Sequence, residues 1–128
     1  MPKMEEQRKP YDIVERTFQF ALNIVRLCKE CERRNNSART LARQLLRSGT
    51  SVGANVEEAQ AGQSRADFIS KYAIALKEAR ETRYWLRLLI ESGDCPGEAS
   101  SALVQEADEL KRIIAAIIVK AQQSAPRK

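Results

Sequence analysis

The stretch Arg47-Ser-Gly-Thr-Ser-Val-Gly-Ala-Asn55-Val-Glu57-Glu58-Ala-Gln60, followed by Ser64-Arg-Ala-Asp67-Phe68, decides the fold. Gly49 and Gly53 stand four apart in a helical pattern, and each glycine costs about 1 kcal/mol of helix propensity relative to alanine. Such a pair implies close approach of a neighbouring backbone, or else a kink dividing the segment in two. Ser64-Arg-Ala-Asp67 has the S-x-x-D form of a capping box directly before an apolar residue, which starts a new helix at about residue 65.

Outward from this stretch, apolar residues recur at helical spacing. The second helix, about 38–62, has its seam at Ala38, Ala42, Leu45, Gly49, Val52, Val56 and Ala59. The third, about 65–92, carries Phe68, Tyr72, Ala75 or Leu76, Ala79, Thr82 or Arg83, Leu86, and Leu89 or Ile90, with Gly93 as a natural stop. The fourth, about 98–123, aligns Leu103, Ala107, Leu110, Ile114, Ile117 and Ala121. The first, about 11–32, shows two stripes: Val14, Phe18, Ala21, Val25 and Cys28, and Ile13, Phe20, Ile24, Leu27 and Cys31. Two stripes exceed what one face needs, so this helix is either central in its bundle or buries a face against another subunit. Asn36 or Ser37 is the expected cap of the second helix. Four long helices joined by short turns predict an all-α, antiparallel up-down-up-down four-helix bundle over residues 11–123. A flexible tail over 1–10 and a basic tail over 124–128 flank it.

The 128-residue chain contains 43% hydrophobic residues, enough for one core. Its prolines fall only at positions 2, 10, 96 and 126, leaving the interior free for long helices. No run is long and apolar enough to span a bilayer, and the N-terminus lacks an apolar signal core, so a cytoplasmic protein with no membrane association is expected. Three cysteines without an export signal predict reduced thiols, with Cys28 and Cys31 acting as small helix hydrophobes. With no histidine in the chain and Cys95 the one further thiol, a zinc site at Cys28 and Cys31 is not expected, a di-iron bundle centre cannot be completed, and no cofactor or metal is expected.

Asn55, Glu58, Glu78 and Glu81 form a candidate polar network on the two helices with the smallest seam residues. Either the carboxylates share a proton or a metal across the bundle, or they pair with helix neighbours and arginines and fix register. No serine or cysteine has a histidine partner, and no strand precedes a glycine-rich phosphate loop, so a conventional enzyme is not expected. The net charge of +5 falls to +2 over residues 11–125, a modest basicity. Its placement is more informative. Arg39, Arg43 and Arg47 repeat every four residues on the second helix, while Lys77, Arg80 and Arg87, with Arg83 or Arg65 nearby, line part of the third. Such stripes either track phosphates without base specificity or form a solvated face offset by Glu57, Glu81 and Glu91. Tyr11, Tyr72, Tyr84 and Trp85 are dispersed, with core or interface alternatives, so nucleic-acid contact would be mainly electrostatic.

The set Ser51-x-x-x-Asn55-Val56-Glu57-Glu58, Ser64-Arg65-x-Asp67-Phe68 and Ala75-Leu76-Lys77-Glu78-Ala79-x-Glu81-Thr82-x-x-Trp85-Leu86 resembles the bacterial 23S rRNA-intervening-sequence proteins over about residues 12–120. It is also distantly similar to the accessory variability determinant of diversity-generating retroelements. The resemblance implies a homopentamer and aligns Asn55 and Glu58 with that family's Asn and Glu, with Ala59 where the family has glycine. Together these readings point to a non-enzymatic homo-oligomer binding RNA or DNA, RNA foremost, through Arg39, Arg43, Arg47, Lys77, Arg80 and Arg87. The alternative is a protein-interaction adaptor without nucleic acid.

Overall fold

The computed structural model describes residues 12–95 and 97–124, and these form a four-helix bundle. The helices are α1 (Ile13–Cys31), α2 (Asn36–Gln60), α3 (Arg65–Glu91) and α4 (Gly97–Gln123). Each packs on its sequence neighbours, and α1 closes the ring against α4, with no diagonal packing. The antiparallel up-down-up-down topology follows directly. The expected tails, apart from Ser124, and Tyr11 as the first residue of the first helix lie outside the described residues.

Local chemistry sets the helix ends. The Asp12 side chain accepts from the Glu15 amide at 3.4 Å, and Ser64 Oγ accepts from the Asp67 amide at 3.1 Å. The cap of α2 is Asn35, one residue before the expected pair: its Oδ1 accepts from the Ala38 amide at 2.8 Å, while Ser37 Oγ stands 2.9 Å from the same oxygen. Ser37 supports the cap from inside the first turn. Gly93 follows α3 at φ +77°, a left-handed position that suits glycine.

Burial selects among the apolar stripes. Ile13, Phe20, Ile24, Leu27 and Cys31 of α1 are buried, as is Cys28. Val14, Ala21 and Val25 are only half-buried and Phe18 is 55% exposed, so among the described residues the other stripe is covered only in part, at Val14, which packs against the core, and at its end, Cys28. On α3 the core takes Ala75, Thr82 and Leu89; Leu76, Arg83 and Ile90 lie at the margin. The small-residue stretch of α2 is unbroken helix rather than a kink. A Cβ on Gly49 would stand 2.8 Å from Ile24 Cγ2, and one on Gly53 would stand 3.1 Å from the Thr17 carbonyl oxygen. These glycines therefore let α1 approach α2 closely.

Cys31 and Cys95 form a disulfide with their Cα atoms 5.5 Å apart, which corrects the expectation of three reduced thiols. The odd count and the Cys28-x-x-Cys31 spacing hid the pairing. Antiparallel topology brings the end of α1 and the α3–α4 turn to one end of the bundle, joining residues 64 apart in sequence. Cys28 remains free and buried, its Sγ 3.3 Å from the Ala42 carbonyl, and burial pushes its thiol up to about 12. Polar contacts reinforce the same end: Asp94 accepts from Asn35 Nδ2 at 3.1 Å and from the Ser37 and Ser92 hydroxyls at 3.0 and 3.1 Å. Those hydrogen bonds, Asn35 foremost, hold the Asp94 carboxyl below its ordinary range.

Candidate nucleic-acid interface

The basic residues singled out above divide by what their side chains meet. Successive residues four apart drift about 40° around a helix of 3.6 residues per turn, so the Arg39, Arg43, Arg47 stripe rotates across the outer face of α2. At its end Arg47 reaches α3. Its Nη1 lies 3.4 Å from Glu78 Oε1, and its Nη2 pairs with Glu81. Trp85 Nε1 donates to the same Glu81 carboxylate at 3.1 Å, and Lys77 Nζ stands 3.8 Å from the other oxygen of Glu78. Glu78 is 7% exposed and sits above the buried hydroxyls of Ser48 and Thr82, which are 2.9 Å apart. Thr82 Oγ1 also lies 2.7 Å from the Glu78 carbonyl, to which it can donate. Burying a carboxylate is costly without such partners, so Arg47 has a structural role in the α2–α3 seam.

Two of the four proposed network residues, Glu78 and Glu81, meet in that seam; Asn55 and Glu58 do not join them. Asn55 Nδ2 donates to the Ser51 carbonyl of its own helix at 2.9 Å. Glu58 is exposed and, with Glu57, edges an open groove of about 450 Å³ between α1 and α2. Val14, Phe18, Ala21, Thr50, Gly53 and Ala54 line the rest of it. This is the partly covered stripe of α1 with the small residues of α2 beside it.

On α3, Arg83 Nε stands 2.7 Å from Asp108 Oδ1 of α4, and Arg65 Nη1 donates to the Ala121 carbonyl at 2.7 Å, where a cation suits a helix C-terminus. Arg16 joins α1 to α4 through Glu106 at 2.8 Å and also pairs with Glu109. These contacts, the Glu106 hydrogen bond foremost, raise the Arg16 pKa; the Arg16 hydrogen bond lowers that of Glu109. The remaining arginines differ. Among the described residues no carboxylate lies within ion-pair distance of Arg39, Arg43, Arg80 or Arg87, and all four are exposed. Arg39 makes one neutral contact, donating to Asn36 Oδ1 at 2.8 Å.

Sequence reasoning underrated Tyr84. Its ring is 58% exposed and meets Trp85 edge-on, centroids 5.1 Å apart. The spacing Lys77, Arg80, Tyr84, Arg87 was the available signal, since offsets of three, seven and ten share one helix face.

Among the described residues no group of three or more Cys, Asp or Glu could hold a metal ion, and no helix is long and apolar enough to cross a membrane. The molecule is thus an all-α bundle with free arginines on its outer faces and an open apolar groove. The 23S rRNA-intervening sequence protein model matches residues 9–116, and the chain belongs to that family. Among solved structures it is similar to a protein of unknown function from the S23 ribosomal protein family of Bacteroides thetaiotaomicron VPI-5482, a crystal structure at 1.70 Å resolution. The two share 41% identity and a TM-score of 0.77, over 83% of this chain and 97% of that one. No curated protein matches the chain.

Proposed function

We propose that this protein is a non-enzymatic, self-associating nucleic-acid-binding bundle, with RNA as its ligand. The observation that carries this reading is that Arg39, Arg43, Arg80 and Arg87, like Arg26, Arg33, Arg34 and Arg112, are exposed with no carboxylate within ion-pair distance among the described residues, and that the first four recur along the outer faces of α2 and α3. Such guanidinium groups are available to phosphates, whereas Arg16, Arg47 and Arg83 are engaged within the bundle. Lys77 completes the α3 set, since its side chain is 69% exposed despite the 3.8 Å contact with Glu78. The family name, with its reference to 23S rRNA, favours RNA over DNA.

Self-association is supported by the groove at Val14, Phe18 and Ala21, an apolar surface left open by the described residues. Repeating a modest basic face around an assembly, a pentamer by family resemblance, raises avidity without new contacts. The same groove favours the second reading, a protein adaptor. Charge reversal at Arg39 and Arg43 separates the two: the proposal expects weaker RNA binding with unchanged helicity and solution mass. Unchanged affinity would remove the α2 stripe from the interface.

A further inference from the structure

We infer that the outer ridge of α3 is a stacking site for an unpaired base, so that the preferred ligand is single-stranded nucleic acid rather than a duplex. This inference rests on the nucleic-acid reading above and specifies its ligand. Lys77, Arg80, Tyr84 and Arg87 follow one another along a single helix face, and the tyrosine lies between the two arginines with its ring 58% exposed. From Lys77 to Arg87 the helix rises about 15 Å, enough to place cations along the backbone on both sides of one stacked nucleotide.

The ring has an aromatic neighbour. Trp85 packs against it edge-on at an interplanar angle of 76°, its indole N–H is bonded to Glu81, and Glu81 is paired with Arg47 of α2. An aromatic side chain fixed in this way presents a face at small entropic cost. In duplex nucleic acid the base faces are already stacked within the helix, whereas in single strands, loops and bulges they are free to stack on aromatic side chains. Cations to either side of the ring would meet the phosphates flanking the stacked base. Neither the exposure of Tyr84 nor the lack of acidic partners for Arg80 and Arg87 is needed by the bundle itself.

The test compares binding of the full chain to a short unstructured pyrimidine RNA, the same sequence as DNA, and duplexes of equal phosphate number. Tyr84→Ala should lower single-strand affinity about tenfold, within the range expected for one base–aromatic stack. Duplex affinity, salt slope and solution mass should stay unchanged, and Tyr84→Phe should retain single-strand binding. Arg80→Glu with Arg87→Glu should instead reduce the single-strand salt slope by about 1.4, at 0.7 per phosphate contact. The strand held more tightly, RNA or DNA, identifies the source of the ligand. The inference is overturned if Tyr84→Ala weakens single strands and duplexes equally, leaves single-strand affinity intact, or alters the solution mass, which would make Tyr84 a subunit contact. Retained duplex binding by the wild type would then leave the broader nucleic-acid reading standing, whereas absence of all binding would remove both.

Discussion

Replacing Gly49 with alanine should destabilise the bundle, although the same change at an open helix position would stabilise it. The added methyl carbon would lie 2.8 and 2.9 Å from Ile24 Cγ2 and Cγ1 and 3.2 Å from its Cβ. These are not the free ends of a flexible chain: Ile24 is fully buried and, being β-branched, is restricted at χ1. Relief requires α1 to move away from α2, and overpacking of this kind costs about 1–3 kcal/mol. Alanine returns about 1 kcal/mol of helix propensity. The expected net loss is therefore up to about 2 kcal/mol, read as a lower urea midpoint with an unchanged slope. Gly97→Ala is the control, because a methyl group there meets no atom within 4 Å. In a double-mutant cycle, Ile24→Ala should couple to Gly49→Ala by at least about 1 kcal/mol, since the new methyl then occupies space the isoleucine has vacated. Stabilisation by Gly49→Ala, or additivity in the cycle, would refute the close α1–α2 contact.

Reduction of the Cys31–Cys95 disulfide should lower stability by about 4 kcal/mol on chain-entropy grounds, given the 64-residue separation; a thiol-dependent shift in the urea midpoint measures this, and no shift would show the bridge to be unformed in solution. Cys28 should resist alkylation at pH 8 in the native protein and react once unfolded, because burial raises its pKa to about 12. By the same linkage, stability should decline as pH rises from the ordinary thiol value of 9.0 toward 12, since the unfolded thiol ionises first. Arg47→Ala should cost about 1–2 kcal/mol, less than for a fully buried pair because the arginine is half exposed. It should weaken RNA binding less than Arg43→Ala does, as competition binding with both variants would show.

Much of the bundle was legible because core positions repeat at helical spacing and the caps are local. Ser64 and Gly93 mark ends through contacts within a few residues, and the Gly49–Gly53 pair announced a close neighbour. Other features depend on which residues the topology brings together. Cys31 and Cys95 become neighbours only once the antiparallel order is known. Arg47 looks equivalent to Arg43 in sequence, yet the 40° drift per step carries it to Glu78 and Glu81 while Arg43 stays outside. Glu58 and Glu78 fell into one expected network because both are acidic and near small residues, but Glu58 edges the α1–α2 groove while Glu78, on α3, lies in the α2–α3 seam. The stripe through Val14 and Phe18 was visible from the start; the described residues leave it open at Phe18.

Nuclease-treated protein titrated into a structured RNA with single-stranded loops, over a salt series and with solution mass recorded in each buffer, tests the central claim most directly. The account predicts an assembly larger than the 14.5 kDa chain whose affinity falls steeply and linearly in log salt. A stable species that binds no RNA at low salt would contradict it and turn attention to a protein partner for the α1–α2 groove.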